Sequence, residues 1–291
     1  YEHWQTDLTD SSGVVNSVPK SPQWSLTTQL DTSLSDLSLQ QNDTQASLSG
    51  LSIKTDLQAA DESNNSLSVS LADYQSEWRD LRLNTAEING TSDLFTLKWD
   101  LLNVQQGQDS PLHVVLKQAT TYLNNFTALQ PNGDKLVSLT ESTTRLKDLN
   151  WSAQDWSIQL DSQLLSGLAL SQVQTASIPL VNVGELEAHN IRVTPAKTQV
   201  DSLDIIDLSS TIDILPDGAL NNLVTLPVQA KIEEETSTEA TRAPLEASDT
   251  AMAPALQVGK IRVLGDSRLQ FTDQSVTPVL RNDVGIQQFE V

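Results

Sequence analysis

Hydrophobic and polar residues alternate along most of this chain with a period of two, the spacing that puts every second side chain on one face of a β-strand. The apolar phase runs through Leu37, Leu39; Leu51, Ile53; Leu67, Val69, Leu71; Leu81, Leu83; Leu97, Trp99, Leu101; and Trp156, Ile158, Leu160. It continues through Leu168, Leu170; Ile191, Val193; Leu203, Ile205; Ile212, Ile214; Ile261, Val263; and Leu269, Phe271. Ser, Thr, Gln, Asp and Lys fill most of the positions between. A sheet with one wet face is antiparallel rather than parallel. Asn89-Gly90, Asn132-Gly133, Asp217-Gly218 and Gly265-Asp266 supply turn chemistry for short hairpins, in a meander of strands about ten residues apart. The expected fold is therefore all-β: an elongated, curved antiparallel sheet.

One stretch departs from this pattern. After Ser110 and Pro111, Leu112, Val115, Leu116, Ala119, Leu123 and Phe126 recur at three- and four-residue steps, which favours an amphipathic helix over 111–128. A strand reading through Leu112, Val114 and Leu116 competes with it, and Leu136 to Leu149 is ambiguous. Residues 233–254 carry Glu233, Glu234, Glu235, Glu239, Glu246 and Asp249 among Thr, Ala, Ser and Pro, a composition too poor in apolar surface to order itself. The resulting organisation is a β segment over 1–110, a helix and connecting segment over 111–150, a second β segment over 151–232, an acidic linker over 233–254 and the start of a third β segment over 255–291.

Composition narrows the function. The 291 residues hold 17 Lys+Arg against 38 Asp+Glu, a formal charge of −21, so a basic surface for nucleic acid is absent. There is no cysteine, which excludes thiol chemistry and disulfides. His3, His113 and His189 lack metal-ligand spacing, and no nucleophile elbow or phosphate-binding glycine loop occurs. No cofactor and no enzymatic activity are expected. Aromatic residues are only 4% of the chain while Leu numbers 43, which describes a narrow apolar strip better than a thick core. An open sheet must cover such a strip with a second layer or with a ligand. A trough would solvate acyl chains, at about 0.8 kcal/mol per buried methylene. Two other uses are weighed: a structural or adhesive surface β-protein whose apolar face is filled by its own side chains, and a carbohydrate-active domain using Trp151 or Trp156 with paired carboxylates.

The order of motifs in the last half of the chain resembles a known family. Ile178-Pro179-Leu180-Val181-Asn182-Val183-Gly184-Glu185-Leu186 leads to Val200-Asp201-Ser202-Leu203-Asp204-Ile205-Ile206-Asp207-Leu208. Then come Asp217-Gly218-Ala219-Leu220-Asn221 and, after the acidic linker, Phe271-Thr272-Asp273-Gln274-Ser275. This succession is similar to the AsmA-like superfamily of bacterial envelope proteins, in a branch known as a domain of unknown function and related to TamB and YhdP. The resemblance covers 151–291. It implies a taco-like β-groove, a periplasmic location, an inner-membrane anchor outside this stretch of a longer chain, and non-enzymatic transport of phospholipid or another acyl-chain ligand towards the outer membrane. Outer-membrane or envelope proteins would be further partners. On this reading the groove is lined by Leu67, Val69, Leu71, Leu97, Trp99, Leu101, Trp156, Ile158, Leu160, Leu203, Ile205, Ile212, Ile214, Ile261, Val263, Leu269 and Phe271. Asp217-Gly218 and Asp273 are turn and strand-end devices.

Overall fold

A computed structural model describes residues 5–8, 24–62, 66–107, 111–153, 155–174, 178–224 and 255–291. The acidic linker expected at 233–254 and His3 lie outside these residues. The described chain is all β. Its strands are β1 (Gln5–Leu8), β2 (Ser25–Gln41), β3 (Thr44–Glu62), β4 (Ser66–Asn84), β5 (Asn89–Gln106), β6 (His113–Leu129) and β7 (Lys135–Ser152). They continue with β8 (Trp156–Gln172), β9 (Val181–Val193), β10 (Lys197–Ile214), β11 (Ala255–Leu264), β12 (Ser267–Asp273), β13 (Leu280–Ile286) and β14 (Phe289–Glu290). All join one open, curved sheet, in which β1 to β10 follow sequence order. The boundaries expected at 110 and 150 fall within that sheet.

The strands are long ribs rather than the ten-residue units of the sequence pattern. β2 to β8 each contain 17 to 19 residues, or roughly 60 Å if straight at about 3.3 Å per residue. Leu67–Leu71 and Leu81–Leu83 belong to the same rib, as do Trp156–Leu160 and Leu168–Leu170. What divides each rib in the sequence is a local break in the strand, and these breaks line up across the sheet.

The first line of breaks crosses Asp36, Ser49, Asp80, Asp93, Asn125, Thr140, Gly167, Gly184 and Asp207. Each of these positions is missing from a ladder whose register is continuous on either side. Asp36, Asp80, Asn125, Gly167 and Asp207 have φ between 50° and 64°, the left-handed region that Asp, Asn and Gly tolerate best. A second line begins at Asp73 and passes through Asp100, Gln118, Lys147, Asn190 and Asp201 to Gly259. Asp73, Gln118 and Asn190 again have positive φ. We call these lines the first and second crease. At a crease one extra residue enters the strand, as in a β-bulge, so the apolar phase advances by three residues rather than two.

That step corrects the helix expected over 111–128. Those residues form β6, whose apolar phase is Val114, Leu116, Ala119, Thr121, Leu123, Phe126 and Ala128 by direct pairing with its neighbours. Two- and three-residue steps in the order two, three, two, two, three give a seven-residue repeat. A seven-residue repeat is also the signature of an amphipathic helix. The bulges at Gln118 and Asn125 thus imitate helical spacing inside a strand.

Turn chemistry differs in part from expectation. Asn132-Gly133 does lie in the β6–β7 turn, with Gly133 at φ 89°. Asn89 and Gly90 instead belong to β5, paired with Asn84 and Leu83. The β4–β5 turn is made by Thr85, whose hydroxyl accepts from the Ile88 amide at 2.9 Å. Ser152 and Thr194 perform the same service for Asp155 and Lys197. These are Ser/Thr turns rather than Asn-Gly turns.

The last strands make the sheet mixed. β11 and β12 both pair with β10 in parallel, covering Lys197–Ile206 and Ser209–Ile214 in turn. They are one interrupted rib, and Gly265-Asp266 is its break at the first crease rather than a hairpin. A Cβ on Gly265 would meet the Asp207 carboxylate oxygen at 2.2 Å, and that oxygen accepts from the Asp266 amide at 2.9 Å. β13 and β14 form a final interrupted rib, antiparallel to β12 and β11. On the polar face Arg262 clasps Asp204 with two hydrogen bonds, tying β11 to β10. These bonds are the chief cause of the raised Arg262 pKa and hold it as a cation.

Candidate functional site: the apolar face

Residues paired directly across a ladder share a face, so the registers assign every rib position to one side or the other. The apolar side carries Leu30, Leu34, Leu37 and Leu39 of β2, which pair with Thr55, Leu51, Leu48 and Ala46. Following the pairs through to β11 adds Leu, Val, Ile, Trp, Phe and small or hydroxyl residues. From β2 to β11 this phase holds Asp, Glu, Lys or Arg only towards the rib ends, as at Asp61 opposite Leu67, and the first in β12 is Asp273 at its end. The other charged residues of the ribs sit on the other face or on the creases. Lys54 and Asp31, for example, pair across the polar side at 3.1 Å.

This apolar face has no second layer over it among the described residues. Only Ala119, Ala128, Leu139 and Val183 form its fully buried hydrophobic set. A protein interior of ordinary density would bury far more of so many Leu side chains. Curvature, not a covering sheet, gives the face what shelter it has. At the first crease the face is concave: side chains from both sides of the line, Trp78 with Leu81 and Leu123 with Phe126, line one hollow of about 640 Å³. Leu37, Leu39, Leu48 and Leu83 extend its wall, and its surface is almost wholly apolar.

A second hollow, about 470 Å³, lies at the far end of the ribs among Val114, Leu149, Trp151, Trp156 and Ile158. Trp151 and Trp156 pair directly. Among the described residues no carboxylate lines this hollow.

Between the hollows, Tyr74 and Trp99 stack with ring centroids 3.7 Å apart, at the second crease. The Trp99 indole N–H reaches across the crease to the Leu71 carbonyl. A polar seam interrupts the apolar face nearby. Thr144 bonds Gln163, whose amide nitrogen also donates to Ser142 at 3.1 Å. Ser76, fully buried, accepts from the Trp78 indole at 3.1 Å. These polar groups find partners within the sheet, so they do not make the face hydrophilic.

The sequence-derived lining residues fall as follows. Leu67, Val69, Leu71, Leu97 and Trp99 share the apolar phase on β4 and β5. Trp156, Ile158 and Leu160 join them through β7. Leu203, Ile205, Ile212 and Ile214 of β10 pair with Ile261, Val263, Phe271 and Asp273, and Leu269 pairs with Ser210. Leu101 is the exception. The extra residue at Asp100 gives its expected place to Leu102, and Leu101 pairs with Ala72 and Lys117 on the polar side. Trp78, Leu123 and Phe126, which define the larger hollow, are not among the expected lining residues: Leu123 and Phe126 fall in the helix expected over 111–128, and Trp78 in no expected element. Their signal was the three-residue step between hydrophobes, Trp78 to Leu81 in β4 and Leu123 to Phe126 in β6, where it looked helical.

Other chemistry is sparse. No cluster of three His, Asp or Glu able to hold a metal ion occurs among the described residues. His189 lies 3.4 Å from Glu187 on the polar side. Asp217 accepts from the Ala219 amide and Asp273 from the Ser275 amide, so both serve turns. No described helix is long and apolar enough to cross a membrane.

Comparisons of the chain with protein families, with curated proteins and with solved structures return no match.

Proposed function

We propose that this chain is a non-enzymatic acyl-chain carrier, a β-groove segment of an AsmA-like envelope protein that takes the hydrocarbon of phospholipids along its apolar face. The observation that carries this reading is an apolar face spanning β2 to β11, free of charged residues away from the rib ends and, among the described residues, without a second protein layer. Such a face is costly in water, at about 25 cal/mol per Å² left exposed, and hydrocarbon removes that cost without asking for directional partners. The polar reverse face and the charge of −21 keep the same sheet soluble. The motif order over 178–278 supports a periplasmic setting, with phospholipid moving between inner and outer membranes as the task.

The test is binding of phospholipid to delipidated protein, followed by native mass spectrometry and by displacement of a fluorescent fatty acid. Wild-type protein should take up lipid. Leu81→Asp, at the larger hollow, should lose binding about tenfold or more while the sheet persists by circular dichroism. Leu101→Asp, on the polar side, should bind as wild type. Absence of uptake, or equal loss in both variants, overturns the reading.

A further inference from the structure

The polar reverse of the sheet carries one straight line of basic residues, and we propose that it binds a linear anionic polysaccharide whose charge falls on every second sugar. The proposal concerns the reverse face and does not depend on what occupies the apolar face.

Three observations carry it. The first is alignment. Direct pairing across successive ribs joins Lys54 to Gln75, Gln75 to Lys98, Lys98 to Thr120 and Thr120 to Arg145. It goes on from Arg145 through Ser162, His189 and Ser202 to Lys260. These positions therefore form one row on the polar face, with a basic residue on β3, β5, β7, β9 and β11 and a neutral one on each rib between. No Asp or Glu interrupts the row over that span. In a chain with 38 Asp+Glu against 17 Lys+Arg, this sets it apart from the rest of the face.

The second is spacing. Neighbouring strands lie about 4.8 Å apart, so the basic residues recur at about 9.6 Å and the row runs for roughly 38 Å. DNA phosphates follow one another at about 3.4 Å along a strand and would set about three charges against each basic residue. A pyranose unit, by contrast, is about as long as one strand is wide. Sugars that alternate acidic and neutral thus meet in turn a basic residue and a hydroxyl or amide, as at Lys98, Thr120 and Arg145.

The third is availability. Lys98 and Arg145 are exposed, and among the described residues neither has a carboxylate within ion-pair distance. The next polar row beside them is uncharged from β5 to β8, where it holds Thr96, Tyr122, Thr143 and Leu164. Lys54 pairs with Asp31, His189 with Glu187 and Lys260 with Glu290. Such surface contacts are worth little, so an anionic ligand can replace them. Asp73, Asp100, Asp161 and Asp201 stand on the second crease beside the row. They oppose a broad anionic surface or a densely charged polymer, whereas a narrow chain lying along the row passes between them and the uncharged flank.

Fluorescence anisotropy of a labelled oligosaccharide of alternating glucuronic acid and N-acetylglucosamine, long enough to span β3 to β11, tests this on the 291-residue chain. Saturable binding is expected at physiological salt. Lys98→Gln combined with Arg145→Gln should weaken it about tenfold or more, and Thr120→Val should weaken it less. Arg268→Gln removes a basic residue of the same face outside the row and should bind as wild type. Circular dichroism verifies the sheet in every variant. Polyphosphate and vesicles of phosphatidylglycerol should compete more weakly than the unlabelled oligosaccharide. No binding of the oligosaccharide, equal loss in Arg268→Gln, or stronger competition by polyphosphate or the vesicles overturns the proposal.

Discussion

The first crease crosses the ribs from β2 to the β13–β14 rib, whereas the second starts only at β4, and the two are held by different contacts. On the first crease short polar side chains meet in pairs: Ser49 with Asp80, and Asn125 with Asp93 at 2.7 Å. Farther along, backbone space takes over. A Cβ on Gly167 would stand 2.3 Å from the Thr140 hydroxyl, and one on Gly184 would stand 3.0 Å from the Asp207 Cβ. The second crease shares the Asp and Asn device at Asp73 and Asn190, but at Gln118 it uses a poor left-handed residue, and it leans on the Tyr74–Trp99 stack. The cavity beside it is lined by Gln159, Arg192, Gln199 and Asp201, on or next to the polar side, whereas the hollow at the first crease is apolar. The contrast teaches that bend position is set by Asp, Asn and Gly, while the character of the hollow is set by the phase of the hydrophobes around it.

Substitution should separate the two devices. The largest effect is expected from Gly167→Val, which sets a β-branched residue at φ 64° against the Thr140 side chain. A loss of about 3 kcal/mol or more is the scale for such combined strain and overlap, readable as a lower urea midpoint. At the second crease Trp99→Ala removes the stack with Tyr74 and should cost about 2 kcal/mol, with weaker amide protection in β4 and β5 than in β2 and β3. Asn125→Ala loses its bond to Asp93 and places Ala in the left-handed region, for about 1–2 kcal/mol. Asn125→Gly should recover much of that loss. Gln118→Asn should stabilise by less than about 1 kcal/mol, since Asn visits this region more readily. Equal responses of Asn125 and Gln118 to Gly would erase the distinction between the creases.

The alternation of Leu67, Val69 and Leu71, or of Ile261 and Val263, made the all-β sheet and its apolar face legible before any coordinates. Strand pairing fixes a face through every second residue, and that rule is local. The creases were not legible, because an extra residue at Asp80 or Asn125 reads as the end of one strand and the start of another. In β6 two such residues seven apart took on helical spacing. Leu101 was misplaced for the same reason: its phase depends on a backbone event at Asp100 that hydrophobicity does not record. Asp and Asn inside an alternating run, flanked by a three-residue step between hydrophobes, are the signal that would have found them. The parallel pairing of β11 with β10 had no local signal, since it joins residues about 58 apart.

Each rib from β2 to β9 packs chiefly against its sequence neighbours, and the creases recur at matching positions in rib after rib. Cross-section and length are therefore set independently. The spacing of the two creases along a rib fixes the width, and the number of hairpins fixes the reach, at roughly 10 Å for each pair of strands. Inserting or deleting a whole hairpin between β4 and β9 would lengthen or shorten the molecule without re-solving its profile. A protein built this way changes span by counting, much as a repeat array does.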